Sequence, residues 1–146
     1  MASGLYGITF LNALKNDLAL DLDSTTGDRF KAMLVTSSYT PNFGTHDFKA
    51  DVSNEVSGTG YSAGGKSLTS VALTQSAGTI TFDAANLTWA SSTITARAAV
   101  IYDDSLTSDP LICYIDFGAG NFIQLNSERN ELGASTNLVA NGYWAV

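Results

Sequence analysis

Cysteine, histidine and charged side chains are scarce in this sequence. Cys113 is the single cysteine among 146 residues, and His46 is the single histidine. One cysteine excludes an intramolecular disulfide and a metal cluster built from cysteines. One histidine leaves the chain a single imidazole that can act as a general base.

Basic residues are outnumbered by acidic ones. The chain has seven Lys and Arg, spread singly, against 14 Asp and Glu, for a net charge of −7. Without a basic patch, we expect no binding to nucleic acid or to an anionic membrane. Residues 1–23 have no basic group ahead of their apolar residues, and no apolar run comes near the ~20 residues that span a bilayer. We expect neither a signal peptide nor a transmembrane segment.

Neutral residues take the place of charged ones. Charged residues make up 14% of the chain, well below the roughly 25% of average soluble proteins. The chain has 16 Ser and 16 Thr, and it is 45% hydrophobic. Such a surface suits a protein that is largely covered in an assembly, although it is also compatible with a monomer. The length predicts a single domain over residues 1–146 with an ordinary hydrophobic core.

One segment near the N-terminus has helical periodicity. Leu11, Leu14 and Leu18 recur at helical spacing, with Lys15 and Asp17 on the opposite side. This pattern predicts an amphipathic helix over about residues 8–20. No other segment predicts a helix.

The remaining pattern is typical of a β-protein. Residues 30–36 predict a mostly buried strand, and short strand-like runs separated by turn residues follow after residue 66. These runs are residues 68–74, 79–82, 87–89, 93–102, 111–117, 121–125 and 137–146. Alternate residues of the fourth run are predicted to share one face: Ile94, Ala96, Ala98 and Val100. The rhythm predicts a mainly β fold, a jelly-roll-like β-sandwich or barrel with one N-terminal α-helix.

Between residues 37 and 66 the sequence has little periodicity of either kind. A loop of this length is uncommon inside a compact domain and is often functional or wrapped on a partner. This segment, the arm, contains four aromatic residues: Tyr39, Phe43, Phe48 and Tyr61. They are candidates for partner binding, as anchors in a pocket of a neighbouring subunit, or for holding the arm to its own domain.

The arm ends in a glycine-rich stretch, GTGYSAGGKS at residues 58–67, that matches two enzyme motifs. Residues 60–67 fit the phosphate-binding loop, and residues 60–64 fit the nucleophile elbow around Ser62. A phosphate loop follows a buried strand and opens a helix, but here the preceding residues are polar and the following ones are β-like. The elbow needs a histidine later in the chain, whereas His46 precedes Ser62. We therefore interpret the stretch as a turn.

Short acidic stretches match other motifs only in part. Residues 21–27 begin like a calcium loop but lack its closing acidic residue. Residues 116–118 spell the DFG tripeptide of kinases without the rest of a kinase. Residues 103–109 hold three aspartates, which is typical of a solvated acidic loop. The sequence therefore predicts no catalytic residue, no cofactor-binding residue and no metal site.

Several stretches resemble one known family. They are LVTSSYTP at residues 34–41, HDF at 46–48, DVSNEVSGTGYSAGG at 51–65, LTW at 87–89, TARAAVIY at 95–102 and PLICYIDFG at 110–118. Over nearly all of its length from about residue 29, the chain resembles a family of small structural proteins of tailed bacteriophages. The most specific part of the resemblance is the segment EVSGTGY-x-AGG.

This resemblance implies a non-enzymatic, β-rich virion protein in which the glycine-rich stretch belongs to a long connection. An acidic protein of this size looks like a capsid decoration, or cement, protein. We therefore expect a subunit on the outer surface of the phage head, with the major capsid protein and further copies of itself as partners, as a homotrimer. The contacts are expected in the arm, through its four aromatic residues, and in the N-terminal residues.

Two other functions remain open. One is a tail, baseplate or neck component, including a host-surface glycan-binding module in which Trp89, Tyr143 or Trp144 would stack on sugars. The other is an enzyme, which requires that residues 60–67 bind a nucleotide through Lys66.

Overall fold

The computed structural model describes residues 2–23, 27–117, 123–125 and 131–132, and these residues are mainly β. Within them one α-helix lies near the N-terminus and the strands pair antiparallel, which confirms the predicted class. The helix is α1 (Gly7–Leu14), and a turn of 3-10 helix covers Lys49–Asp51. The strands are β1 (Gly4–Leu5), β2 (Phe30–Val35), β3 (Lys66–Ser67), β4 (Ala72–Ser76), β5 (Thr79–Asp83), β6 (Leu87–Thr88), β7 (Ile94–Ala96), β8 (Ala98–Asp103), β9 (Leu111–Asp116), β10 (Ile123–Leu125) and β11 (Glu131–Leu132).

Helix α1 ends at Leu14, well before the end predicted from the leucine spacing. Asn16 has a φ of 63°, in the left-handed region, which asparagine adopts more readily than most residues. The backbone N–H of Asp17 then bonds to the carbonyl of Asn12. These features close the last turn as a left-handed C-terminal cap does, so the helical spacing beyond it does not extend the helix.

The largest unit is a five-stranded antiparallel sheet with the strand order β1-β9-β8-β2-β3. Strands β2 and β8 pair along their whole length, from Phe30 opposite Asp103 to Val35 opposite Ala98. All six residues of β8 are buried, and the first five residues of β9 are buried as well. A strand that is buried on both faces needs a short continuous apolar run, and the sequence has such a run at both strands.

Both faces of this sheet are covered by other parts of the chain. Because adjacent residues of a strand point to opposite faces, β2 contributes alternately to two cores. The first core consists of Phe30, Ala32, Leu34, Val56, Leu68, Phe82, Leu87, Trp89, Ile94, Ala96, Ala99, Ile101, Ile112, Cys113 and Ile115. The second core consists of Tyr6, Met33, Val35, Tyr39, Ala98, Val100, Tyr102, Leu111 and Tyr114.

The strand predicted over residues 93–102 is in fact two strands. It breaks where β7 ends and β8 begins, and β7 pairs with β10 whereas β8 pairs with β2 and β9. The prediction that its alternate residues share one face is therefore wrong. Ile94 and Ala96 lie in the first core, but Ala98 and Val100 lie in the second.

Arg97 stands at the break between β7 and β8. Its backbone N–H donates to the carbonyl of Val35, and its own carbonyl accepts from the N–H of Phe117. Its guanidinium donates two hydrogen bonds to Asp116, at 2.7 Å from Nε to Oδ1 and 3.0 Å from Nη2 to Oδ2. This bidentate pair fixes the point at which the chain passes from one sheet to another.

Other predicted strands differ from the structure in extent. Residues 68–74 do not form one strand, because Ser70 has a φ of 51° and β4 begins only at Ala72. Strand β10 covers the last three residues of the predicted strand 121–125. The predicted strand 137–146 lies outside the described residues. Strands β1, β3 and β11, of two residues each, are not predicted by the sequence pattern.

The connection from β8 to β9 begins with a buried carboxylate. The Oδ1 atom of Asp103 accepts hydrogen bonds from the backbone N–H groups of Ser105 and Leu106 and from the Ser105 hydroxyl. Its Oδ2 atom is also buried and accepts no hydrogen bond from the described residues. Burial raises the pKa of Asp103 above its ordinary value; the nearby Asp28 carboxylate acts in the same direction, and the bonds from Ser105 act against it.

We expect the Asp103→Asn variant to lose part of the pH dependence of stability. Because the pKa of Asp103 is raised in the folded protein, the folded chain holds this proton over a pH range in which the unfolded chain has released it. The stability contributed by this group is therefore complete below its unfolded pKa and is lost as pH rises through its folded pKa. Asparagine keeps the acceptor at Oδ1 and has no proton to lose.

Urea denaturation at a series of pH values measures this difference. The free energy of unfolding of the wild type minus that of Asp103→Asn is expected to fall as the pH rises from about 3 to 7. The exposed Asp17→Asn is the control and is expected to keep the wild-type dependence. Parallel curves for wild type and Asp103→Asn would contradict the expectation.

Candidate interaction surface

The arm is folded against its own sheet. Beside β2, the backbone N–H of Val56 bonds to the carbonyl of Leu34. Further along the sheet, the N–H of Leu111 bonds to the carbonyl of Asp47. Side chains from the first half of the arm contribute to the second core. The first half of the arm, together with Tyr6, thus covers the second face of the five-stranded sheet.

Three side chains in a line join the arm to the N-terminal residues. The Tyr6 hydroxyl lies 2.8 Å from the Tyr39 hydroxyl, which lies 3.0 Å from Nδ1 of His46. The backbone N–H of Asn42 also donates to this Nδ1, so Nδ1 is an acceptor, Tyr39 donates to it and Tyr6 donates to Tyr39. Burial raises the pKa of Tyr6 and of Tyr39 above the ordinary value, so both hydroxyls keep their protons.

Phe43 packs between β1 and the second core. Its ring is edge-on to the ring of Tyr6, with centroids 5.4 Å apart, and lies 6.4 Å from that of Tyr114. A Cβ atom at Gly4 would lie only 3.0 Å from the Phe43 ring, so a glycine leaves the space that the ring occupies. Edge-to-face pairs of this kind contribute about 0.5–1.5 kcal/mol beyond the burial of their area.

Phe48 is partly buried where the arm meets the connection before β9. It forms an isolated β-bridge with Pro110. The carboxylate of Asp51 accepts hydrogen bonds from the backbone N–H groups of Asp47 and Phe48, both at 3.1 Å. The bond from Phe48 lowers the pKa of Asp51, against the effect of partial burial. The backbone at Phe48 is therefore fixed, while the residue keeps some exposed surface.

Tyr61 and Glu55 hold the glycine-rich stretch on β2. The Tyr61 hydroxyl accepts from the N–H of Leu34 at 2.9 Å and donates to Oε1 of Glu55 at 2.7 Å. The same carboxylate oxygen accepts from the N–H of Gly64 at 2.6 Å, and the Tyr102 hydroxyl donates to the Gly64 carbonyl. Backbone groups at the edge of β2 are thereby satisfied without a longer neighbouring strand.

These positions bear on the four residues predicted to bind a partner. Tyr39 is buried, and Tyr61 stacks on the buried Trp89 with ring centroids 6.3 Å apart. Both residues hold the arm to its own domain, which is one of the two roles that the sequence leaves open. Phe43 and Phe48 are partly buried and keep exposed surface. Partner binding by any of the four stays a prediction.

The glycine-rich stretch forms a turn that leads into a strand. Gly60, Gly64 and Gly65 all have positive φ values, and the next residues form β3 against β2. A phosphate loop opens a helix at this position, so the geometry here differs from that of a phosphate loop. The Lys66 ammonium donates a hydrogen bond to the carbonyl of Thr88. It is therefore engaged by the backbone of its own chain.

The other partial motifs also lie in ordinary structure. Ser62 is exposed, and Nδ1 of His46 is bonded to Tyr39. In the acidic turn after α1, Asp21 accepts a hydrogen bond from the backbone N–H of Asp23. Within the described ranges, no three His, Cys, Asp or Glu side chains are placed to hold a metal ion.

A groove of about 520 Å³ opens between the arm and the β8–β9 connection. Its lining includes Met33, Lys49, Val52, Glu55 and Asp109. The Lys49 ammonium lies 4.8 Å from the centre of the Tyr102 ring and 3.5 Å from the Asp109 carboxylate. This ammonium is already paired with a ring and a carboxylate, so the groove offers little free charge to a ligand.

Large apolar side chains reach the surface in two places. Leu11 and Leu14 are exposed on α1, where Leu14 is 88% exposed. Leu73 and Ile80 are 40% and 43% exposed on the hairpin formed by β4 and β5. Grouped exposed apolar side chains mark interaction surfaces, whereas single ones do not. These two patches are the candidate contacts on the described surface.

No protein-family model, curated protein or solved structure matches this chain. Of the helical residues that the structure describes, none forms a helix long and apolar enough to cross a membrane. The choice among functions therefore depends on the resemblance in the sequence and on the geometry of the described residues.

Two residues that organise this surface, Tyr6 and Glu55, are not site candidates in the sequence. Glu55 opens the most specific segment of the family resemblance, six positions before Tyr61, and this is the signal that points to it. Tyr6 gives no such signal, because its partner Tyr39 is 33 positions away. Hydrogen bonds over that distance leave no local pattern.

Tyr39→Phe is expected to destabilise the protein more than Tyr6→Phe. Loss of the Tyr39 hydroxyl leaves the buried Tyr6 hydroxyl without an acceptor, at a cost of about 1–3 kcal/mol. Tyr6→Phe leaves Tyr39 bonded to His46, so a loss of about 1 kcal/mol is expected. Urea denaturation of the two single variants and the double variant measures the difference. Losses that add in the double variant would contradict the bonded chain.

Gly65→Ala is expected to destabilise the protein more than Gly78→Ala. Both glycines have positive φ values, 77° and 83°, where an alanine costs about 1–2 kcal/mol. At Gly65 the new Cβ would also lie 1.9 Å from the carbonyl oxygen of Ala32, whereas at Gly78 it would meet nothing within 4 Å. Thermal unfolding of both variants gives the comparison. Equal losses would mean that the glycine-rich stretch does not pack closely on β2.

Proposed function

We propose that this protein is a structural component of a tailed-bacteriophage virion, a capsid decoration protein on the outer surface of the head. Its partners are the major capsid protein and further copies of itself, with three copies around a three-fold axis. The jelly-roll-like sandwich is part of this proposal. The five-stranded sheet supplies one layer, and the pairs β4–β5, β6–β11 and β7–β10 contribute to the other.

The observation that carries the proposal is the structural role of the residues that resemble the phage family. In the most specific segment, Glu55, Tyr61 and Gly64 bond to one another and to β2. The other resembling segments include the last two residues of β2, most of β8 and the whole of β9, strands that form the centre of the sheet. Residues with these roles define an architecture and no reaction centre, which fits a structural subunit.

The surface chemistry also supports a binding role. The chain has few charged residues, and Leu11 and Leu14 expose apolar surface on α1. A weakly charged apolar patch can dock on another protein without the cost of desolvating charges. The net charge of −7 suits a position away from the packaged genome, because acidic proteins and DNA repel each other.

Stabilisation of the head would follow from selective binding. A subunit that binds the expanded lattice, and no other state of the shell, stabilises that lattice by its binding free energy. At a free concentration about 100 times Kd this amounts to ~2.7 kcal/mol per site. Summed over many sites, such binding would help the shell to resist the pressure of packaged DNA.

The copy number of this protein per virion tests the proposal. Quantitative mass spectrometry of purified virions would compare it with the major capsid protein. A ratio near one is expected for a decoration protein that covers the lattice. A few copies per particle would place it in the tail, baseplate or neck instead, and its absence from virions would overturn a structural role.

The glycan-binding form of the alternative has less support in the described residues. Trp89 is buried beneath Tyr61 and offers no face to a sugar. Tyr143 and Trp144 lie outside the described residues. The tail or neck alternative itself stays open, and the copy number decides it.

Leu14→Asp is expected to weaken binding to heads. The side chain is almost fully exposed, so the change should leave the fold intact while placing a charge on the apolar patch of α1. Loss of a buried leucine contact at about 1.5–3 kcal/mol corresponds to a rise in Kd of roughly tenfold or more. Ala19→Asp adds the same charge at another exposed position, outside α1, and is the control.

Sedimentation of heads mixed with each purified variant measures the bound fraction. We expect Ala19→Asp to bind like the wild type. Equal binding by Leu14→Asp and wild type would remove α1 from the lattice contact but would leave the decoration role to be decided by the copy number.

A further inference from the structure

The hairpin formed by β4 and β5 has little contact with the rest of the described chain. Every residue of β4 is exposed, and Phe82 is the one buried residue of β5. Among the described strands, none pairs with the hairpin from outside. A two-stranded hairpin without further cover is marginally stable in water. In this hairpin Gln75 lies opposite Ile80, and Leu73 lies opposite Phe82. Opposite residues point to the same face, and so do residues two apart in one strand, such as Leu73 and Gln75. The apolar residues Leu73 and Ile80 therefore share one face of the hairpin.

The hairpin lies in the least charged part of the chain. Between residues 67 and 96 the sequence has a single charged residue, Asp83, although the whole chain has 7 Lys and Arg and 14 Asp and Glu. An exposed strand is usually protected from pairing with other chains by charged residues or proline. Neither is present in β4 or in the turn after it. Nothing in the sequence of this strand opposes pairing.

The edge of β4 presents backbone groups in a known pattern. Ala77 and Gly78 both have positive φ values, 48° and 83°, as in a two-residue type I′ hairpin turn. The pair that flanks such a turn exchanges hydrogen bonds, and the pattern then alternates along the strands. Thr74 and Thr81 are therefore a hydrogen-bonded pair, and Leu73 directs its backbone N–H and C=O to the edge that no described strand occupies. Gln75 does the same.

We propose that β4 pairs antiparallel with β4 of a second copy of this chain, across a two-fold axis at Thr74. Leu73 of each copy then exchanges hydrogen bonds with Gln75 of the other. The two hairpins form one four-stranded sheet, and Leu73 and Ile80 of both copies lie on the same face of it. The contact is isologous, with one patch used by both copies.

Charge favours a second copy as the occupant of this edge. Each copy has a net charge of −7, and nearly all of its charged residues lie outside residues 67–96. Two copies that met through a face with several acidic residues would bring like charges together, which is unfavourable. At this hairpin they meet through Thr, Ser, Gln, Ala and Leu side chains. A basic partner would instead select an acidic face of the molecule.

A single cysteine at the proposed axis tests the pairing. Across a two-fold axis at Thr74, the two Cα atoms would be about 4.5 Å apart, within the range of a disulfide. Thr74→Cys is therefore expected to form a covalent dimer under mild oxidation with glutathione disulfide. The native Cys113 is buried and does not compete. Non-reducing electrophoresis and intact mass measure the dimer on the purified protein.

Thr81→Cys is the matched control. Thr81 lies opposite Thr74 on the same face of the hairpin, one strand away from the proposed contact. It is expected to remain monomeric under the same oxidation. A monomeric Thr74→Cys would overturn the proposal, and so would equal dimerisation of the two variants, because equal yields indicate random collision.

A charge at the same position gives a second readout. Thr74→Glu places two like charges at the axis and is expected to raise the dissociation constant of the hairpin contact at least tenfold in sedimentation equilibrium, whereas Thr81→Glu is not. If Thr74→Glu leaves self-association unchanged but abolishes binding to heads, the occupant is the capsid shell and the proposal is wrong. The pairing is measured without virions, so its failure leaves the proposed decoration role intact.

Discussion

The outer edge of β2 is the constraint on which the rest of the structure depends. On one side β2 pairs with β8 along its whole length, but on the other side β3 pairs with only Lys31 and Ala32. Beyond these residues, the backbone groups of Leu34 would lack partners in the interior of the protein, which is costly. The arm supplies them, with the Tyr61 hydroxyl for the N–H and the backbone of Val56 for the carbonyl.

This solution explains why the arm is long and irregular. A regular strand would satisfy the edge of β2 but would add no cover above the second face of the sheet. An antiparallel sheet commonly leaves one face to water, yet here the second face has apolar residues such as Val100 and Tyr114. The arm and the N-terminal residues cover that face together, and the hydroxyls of Tyr39 and Tyr6 bond to each other there. Tyr39 and Tyr61 have polar ends that a wholly apolar loop would lack.

Local sequence patterns predict the centre of the fold and not its borders. The apolar runs of β2, β8 and β9 are long enough to be recognised as buried strands. The end of α1 depends on the left-handed Asn16, and the break at Arg97 depends on a bond to Asp116 formed 19 positions away. The aromatic residues of the arm stand out in the sequence, but which of them face inward depends on Tyr6 and Trp89, which only the tertiary structure brings near.

The pairing of β1 with β9 has a consequence for synthesis of the chain. Gly4 lies opposite Tyr114 and Leu5 opposite Cys113, so during synthesis these two residues wait for partners that follow more than 100 positions later. At about 5–20 residues per second this delay is roughly 5–20 s. During that time the face of β2 that Tyr6 covers in the folded protein is exposed to solvent. The chain carries few charges that would keep nascent chains apart. The five-stranded sheet can therefore close only after β9 has been made, because β9 is the last of its strands along the chain.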